Sequence, residues 1–274
     1  MSELENKILE IVKINPTLSN REIGKIVGKH RMTIAYYLRK NNIHRDRLTQ
    51  QKLNNTDRNS VIYISDVAKQ ILTGTLLGDS TIGKYKRENC ESVNILNSNI
   101  RCGHSMKQKE YVLYLADLFS NEGLKVNYRE DNRVHHSIVC GREITTIGEC
   151  YLSTTRNIEF NEWRDKWYPA GKKIVPAEFM QYLTPLAIAV WFMDDGSKHE
   201  CSYYLHTDGF ELKYQQYLQK ILFDKFGIKT VLHKVRRTKH IYICASSKND
   251  FTRLIRPYIC KSMEYKLHSI KGSE

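Results

Sequence analysis

Two stretches decide the reading of this chain: LTGTLLGDS at residues 72–80 and IAVWFMDDG at residues 188–196. Each is an apolar run of helical length that stops at an acidic residue followed by Ser or Gly. Asp79 and Asp195 lie 116 residues apart, and a similar succession of segments follows each run. Self-similarity at such a period marks one structural unit repeated within a chain. Gly74 and Gly78 are spaced i, i+4, so they share one helical face and leave it without side chains. Each glycine inside a helix costs about 0.8–1.0 kcal/mol against alanine. Close approach of a second helix would offset that cost. The second run, with Ala187 and Ala189 in a mostly apolar body, is the natural partner. Packed side by side, the two helices would bring Asp79 and Asp195 to adjacent tips.

Working outward, the first half reads as helix 66–78, a polar strand-like region, helix 107–121, a strand from Leu124 to Arg129, a strand near 144–153 and helix 158–168. The second half reads as helix 185–194, strand Cys201–Thr207, helix 211–226, strand Ile228–Val235, a basic turn, strand Ile241–Ala245 and helix 248–258. Asn121-Glu-Gly-Leu-Lys-Val126 answers Lys225-Phe-Gly-Ile-Lys-Thr230. The expected fold class is α+β: two pseudo-symmetric α-β-β-α-β-β-α units with antiparallel sheets, not one continuous α/β sheet. The first half occupies 61–176 and the second 177–274.

Residues 1–43 read as a small all-α helix-turn-helix domain. Leu4, Ile8, Ile11 and Val12 form an apolar stripe at helical spacing, and Pro16 ends that helix. Ser19 with Glu22 is a capping-box pattern opening a second helix, with Ile23, Ile26 and Val27 inward. Gly28 supplies the turn. A third helix, Arg31–Lys40, turns Ile34, Tyr37 and Leu38 inward and carries Arg31, Thr33, Tyr36, Arg39 and Lys40. Such a helix suits a DNA major groove; a plain three-helix interaction module is the alternative. Residues 44–60 are polar, lack apolar periodicity and read as a linker.

The net charge of +13, from 43 Lys+Arg against 30 Asp+Glu, points to a polyanionic partner, with nucleic acid first. No apolar run reaches membrane-spanning length, and the N-terminus lacks the apolar core of a signal peptide, so an intracellular, non-secreted protein is expected. Seven scattered cysteines without a CxxC pair argue for a reducing setting and against zinc. Cys102-Gly-His104, the nearest thing to a metal pair, reads as structural.

Two facing carboxylates repel if both ionise. A bound Mg²⁺ would remove that repulsion and takes oxygen ligands of this type. The carbonyls of Gly78 and Asp194, at the helix ends, are available to complete the shell. On a basic surface such a site suits phosphodiester hydrolysis.

These motifs resemble the two motifs of single-chain LAGLIDADG homing endonucleases. The context YLTPLAIAVWFMDDGSK at 182–198 and the tail elements Ile255-Arg-Pro-Tyr-Ile259 and Met263-Glu-Tyr-Lys-Leu267 are close to the intron-encoded branch. The resemblance covers about residues 61–270, leaving the N-terminal helices outside. It implies a monomer with internal pseudo-two-fold symmetry and two saddle-shaped sheets over a DNA major groove. It implies cutting of both strands of a long double-stranded target with short 3′ overhangs, using Mg²⁺, with Mn²⁺ able to substitute. The last acid of each motif is then a metal ligand and catalytic: Asp79 and Asp195. A lysine in each half near the scissile phosphate falls by position on Lys173, with Lys172 as an alternative, and on Lys266. Ser80 stands where the motif often has Gly, and Asp194 where a small residue is common.

The DNA-reading surface is expected on the strands, with Lys84, Lys86 and Arg87 in the first half and Lys229, Lys234, Arg236, Arg237 and Lys239 in the second. Basic residues there contact phosphates or guanine edges. Two other functions fit the same scaffold. One is a catalytically silent DNA-binding regulator, which loss of a motif acid would mark; both acids are present. The other is an intron RNA maturase.

Overall fold

The computed structural model describes residues 3–15, 18, 20–43, 62–83, 97–139, 142–235 and 238–269. The expected linker 44–60, Pro16, Ser19, and the predicted DNA contacts Lys84, Lys86, Arg87, Arg236 and Arg237 lie outside these residues. The chain divides into two compact units, residues 1–61 with 85–97 and residues 62–84 with 98–274, so both repeat halves share one unit.

In the first unit, α1 (Glu3–Ile14), α2 (Asn20–Val27) and α3 (Arg31–Lys40) pack around Ile8, Ile23, Ile34 and Leu38. Ile26 faces solvent, contrary to expectation, while its neighbour Val27 packs against the core, so the inward stripe of α2 runs through Ile23 and Val27. Glu5 is buried and accepts hydrogen bonds from Lys40 Nζ (3.0 Å) and Asn41 Nδ2 (2.8 Å), tying the first helix to the last.

The second unit is built on α4 (Asp66–Leu77) and α7 (Pro185–Asp195). Both start on a hydroxyl cap: Ser65 accepts from Ala68 N, and Thr184 accepts from Ala187 N with Pro185 following. Thr184 Oγ1 also donates to Gln70 Oε1 of α4 at 2.6 Å. From Ala187 to Met193 α7 is fully buried, as a helix apolar on all sides must be. The helices approach across the glycines. A Cβ at Gly74 would stand 2.4 Å from the Ala187 carbonyl oxygen, so only glycine permits this contact.

Each half adds a four-stranded antiparallel sheet. In the first, β1 (Thr81–Ile82), β2 (Ile100–Ser105), β3 (Val126–Val139) and β4 (Arg142–Thr154) lie in the order β1-β2-β4-β3. In the second, β5 (Gly196–Lys198), β6 (Tyr203–Leu205), β7 (Thr230–Val235) and β8 (Thr238–Ile243) lie in the order β5-β6-β8-β7. The identical order is the repeat in three dimensions. Helices α5 (Lys109–Asn121) and α6 (Glu159–Trp167) belong to the first half, and α8 (Leu212–Phe226) and α9 (Lys248–Ile255) to the second. The β3–β4 hairpin is much longer than the sequence predicts.

Candidate active site and nucleic-acid interface

α4 and α7 end side by side. Asp79 lies in the turn after Gly78, and Asp195 is the last residue of α7. Burial, then the charges of Asp79 and Asp194, push the Asp195 carboxyl up to about 7. Asp79 is raised by burial and by Asp194. A lysine closes each helix end. Lys173 Nζ donates to the carbonyls of Gly78 and Ser80, both at 2.9 Å. Lys266 Nζ, buried, donates to those of Met193 (2.6 Å) and Asp194 (3.3 Å). Burial pulls Lys173 down to about 8 and Lys266 in the same direction, against the pull of the nearby aspartates. The neighbouring Lys172 is exposed and pairs with Glu211 at 2.9 Å.

Two carboxylates raised by burial and by the charge of neighbouring aspartates, in a setting of carbonyl oxygens, form a hard oxygen donor set with charge to spare. It fits a Mg²⁺-class ion. Asp79, Asp195 and the carbonyls of Gly78 and Asp194 are the candidate ligands. The two carbonyls already accept from lysine, but each keeps a second lone pair.

Beside this centre lies a buried cluster from both halves. The Asp194 carboxylate accepts from Tyr111 OH at 2.6 Å and faces His104 Nε2 at 3.4 Å. His104 Nε2 also meets Cys102 Sγ at 3.1 Å, while Nδ1 meets Gln108 Oε1 at 3.1 Å and Asp79 Oδ2 at 3.5 Å. Burial works against the imidazolium, but the bonds to Asp194 and Cys102 outweigh it and raise the His104 pKa. Cys102 and His104 alternate with exposed Arg101 and Gly103 along β2, so both point to the core side of the sheet.

The open face of each sheet follows from the same alternation. In the first half it carries Arg101, Arg129, Tyr151 and Ser153, which with Asp79 line a concavity. Arg101 and Arg129 were not among the sequence-predicted contacts. In the second half Tyr204, His206, His233, His240 and Tyr242 stand together: His206 Nδ1 lies 3.2 Å from His240 Nδ1, and the His233 ring stacks on Tyr242. Lys234 and Lys239, paired across β7 and β8, are exposed but share the parity of Leu232 and Ile241, which face the core. By register the hairpin therefore sets them on the face opposite His240 and Tyr242. Lys229 precedes β7 and is exposed. In α3, Arg31, Tyr36 and Arg39 are exposed and Thr33 is half-buried, whereas Lys40 is held by Glu5. Among the described residues no helix is long and apolar enough to cross a membrane.

Comparison with known proteins adds kinship. The family described as "LAGLIDADG DNA endonuclease family" matches residues 69–252. The chain is 32% identical over 202 residues to the cytochrome b mRNA maturase bI2 of Debaryomyces hansenii, covering 72% of each. It is 26% identical over 214 residues to probable intron-encoded endonuclease 1 of Wickerhamomyces canadensis, covering 74% of this chain and 85% of the relative. It spans about half the length of several other curated relatives. Among solved structures, the homing endonuclease I-WcaI bound to its DNA recognition sequence shares the fold, with a TM-score of 0.63, 24% identity, and coverage of 79% of this chain and 92% of that one.

Proposed function

Because this chain belongs to the LAGLIDADG DNA endonuclease family, we propose that it is a site-specific homing endonuclease. It would hydrolyse both strands of a long DNA target with a divalent metal, Mg²⁺ or in its place Mn²⁺, and leave short 3′ overhangs. The observation that carries this reading is the duplicated helix end: each motif helix brings one aspartate, Asp79 or Asp195, to its tip, and one lysine, Lys173 or Lys266, donates to the backbone carbonyls there. One pair per strand is what a double-strand cut requires.

In this mechanism Asp79 and Asp195 would hold the cation with the Gly78 and Asp194 carbonyls. When bound, the ion supplies Lewis-acid stabilisation of charge on the phosphate oxygens and a more acidic water. Lys173 and Lys266 sit at the helix ends with their protons loosened by burial. Each can place a proton at Nζ toward the developing charge, and Lys173, drawn down to about 8, can also release it near neutral pH. Arg101 and Arg129 grip the duplex on the first open face, and the His/Tyr surface of the second sheet packs against the other half-site. The exposed face of α3 extends the footprint. The protein acts inside the cell as a monomer, since one chain carries both centres.

The test is a supercoiled plasmid library carrying candidate insertion sites, incubated with Mg²⁺. Linear product with 3′ overhangs is expected. Asp79→Asn and Asp195→Asn should each abolish linearisation yet keep binding; binding without any metal-dependent cut would sink the nuclease assignment. The similarity to a maturase favours a second reading, RNA splicing help on the same scaffold. An in vitro splicing assay with the host intron separates the two. A silent DNA-binding regulator is disfavoured by the presence of both motif acids.

A further inference from the structure

The acids and lysines come in pairs, but the cluster beside them does not. The strand registers set Thr81 against Arg101 and Gly196 against Leu205. With the two motifs aligned, Leu205 therefore occupies the place of Cys102, and Thr207 that of His104. The matching helix ends put Gln215 in the place of Tyr111, and Gly78 answers Asp194. None of the four positions repeats its chemistry. A reaction run twice explains the symmetric parts; it does not explain a single buried cysteine, histidine and aspartate assembled from both halves.

We propose that Cys102, His104 and Asp194 form a second metal site, selective for a softer divalent ion of the zinc class. Their ligand atoms lie within 4.8 Å of one another and all three residues are buried. Thiolate, imidazole and carboxylate are a zinc donor set. The charges also balance: one thiolate and one carboxylate cancel a divalent ion, leaving a neutral buried site. The histidine is set for ligation. Gln108 Oε1 can only accept, so Nδ1 carries a proton, and Nε2, which faces Cys102 and Asp194, is the nitrogen that would exchange its own proton for the ion. Metal-bound histidines are held in this way by an acceptor on the far nitrogen. Tyr111 OH, as a donor to Oδ1, orients the Asp194 carboxylate. Asp194 Oδ2 is buried without a hydrogen-bond partner among the described residues. An unpaired buried oxygen is costly, and an ion with a fourth ligand from water would satisfy it. The site differs from the Asp79–Asp195 centre in donor hardness, so Mg²⁺ belongs to one and zinc to the other.

Cobalt replaces zinc with a visible spectrum. The full-length protein, stripped by chelation and titrated with Co²⁺, should bind about one equivalent with tetrahedral ligand-field bands and a thiolate-to-cobalt charge-transfer band. Excess Mg²⁺ should leave both unchanged. Cys102→Ser, nearly isosteric, should remove the charge-transfer band while its circular dichroism stays native. Asp79→Asn should keep the band, which separates this site from the hydrolytic one. Absence of the band in the unaltered protein overturns the proposal and leaves an Asp194–imidazolium pair in its place. So does a band that survives in Cys102→Ser, since another cysteine would then be its source. The spectrum is independent of cleavage, so a protein that cuts no DNA can still pass, and a nuclease can fail.

Discussion

The side chain of Asp194 occupies the notch left by Gly78: a Cβ added at Gly78 would stand 2.4 Å from Asp194 Cβ and 2.8 Å from Oδ2. Gly78→Ala should therefore destabilise the fold by about 1–3 kcal/mol, the usual cost of overpacking. The neighbour that clashes is known, so the effect should be non-additive. Adding Asp194→Gly should recover part of the loss, read as the coupling energy in urea unfolding of the four-variant cycle. Simple additivity would mean that the helices adjust elsewhere.

Asp195 gives the site a pH signature. Its carboxyl titrates near 3.8 in the unfolded chain and about 7 in the folded one. Between those values the folded state holds the extra proton, so this group's contribution to stability is lost as pH rises toward 7. Asp79 acts in the same direction. Metal binding requires the ionised carboxylate, so affinity rises over the same window. The melting temperature of metal-free protein should fall between about pH 5 and 7, and added Mg²⁺ should restore it more at the higher pH. Asp195→Asn should flatten both trends; an unchanged profile in that variant would remove the assignment.

The lysines divide cleanly. Lys173→Met and Lys266→Met should lower the single-turnover cleavage rate by about 10²-fold or more with little change in binding, as loss of proton transfer or charge stabilisation does. Lys172→Ala should cut at the normal rate, because its ammonium is engaged by Glu211 at the surface. Equal losses at 172 and 173 would mean that general charge, not position, matters.

On the open faces, Arg101→Ala or Arg129→Ala should weaken binding and flatten the salt dependence by about one unit of log–log slope for each phosphate no longer neutralised. Lys234→Ala and Lys239→Ala should do less, because both turn toward the core-side parity. Fluorescence anisotropy across a salt series reads the difference, and the reverse ranking would refute the face assignment.

The motif helices are legible in the sequence through their continuous apolar runs, and Gly74 with Gly78 implies a close partner helix on its own. The repeat pairs each acid with its counterpart. Lys173 follows from position in the repeat, and the fold places it at a helix end. Other features are hidden for physical reasons. Lys234 and Lys239 sit in a short basic hairpin whose facing depends on strand register, which a one-residue shift reverses. Arg101 and Arg129 are single charges in strands, without a local pattern. Cys102 and His104 are visible as a pair, but their meaning depends on Asp194, which lies 90 residues from His104 in sequence and across the interface between halves. Glu5 looks like an ordinary surface acid of an amphipathic helix, and only the arrival of Lys40 and Asn41 at its side accounts for its burial.

The unequal hairpins carry one more consequence. Strands β3 and β7 have 14 and 6 residues, or about 45 Å and 20 Å of extended chain. At about 3.4 Å per base step, those lengths span roughly 13 and 6 base pairs. The two arms would thus reach unequal distances from the scissile centre, so the recognition sequence is expected to be lopsided: a long, tolerant flank beneath the first arm and a short one beneath the second.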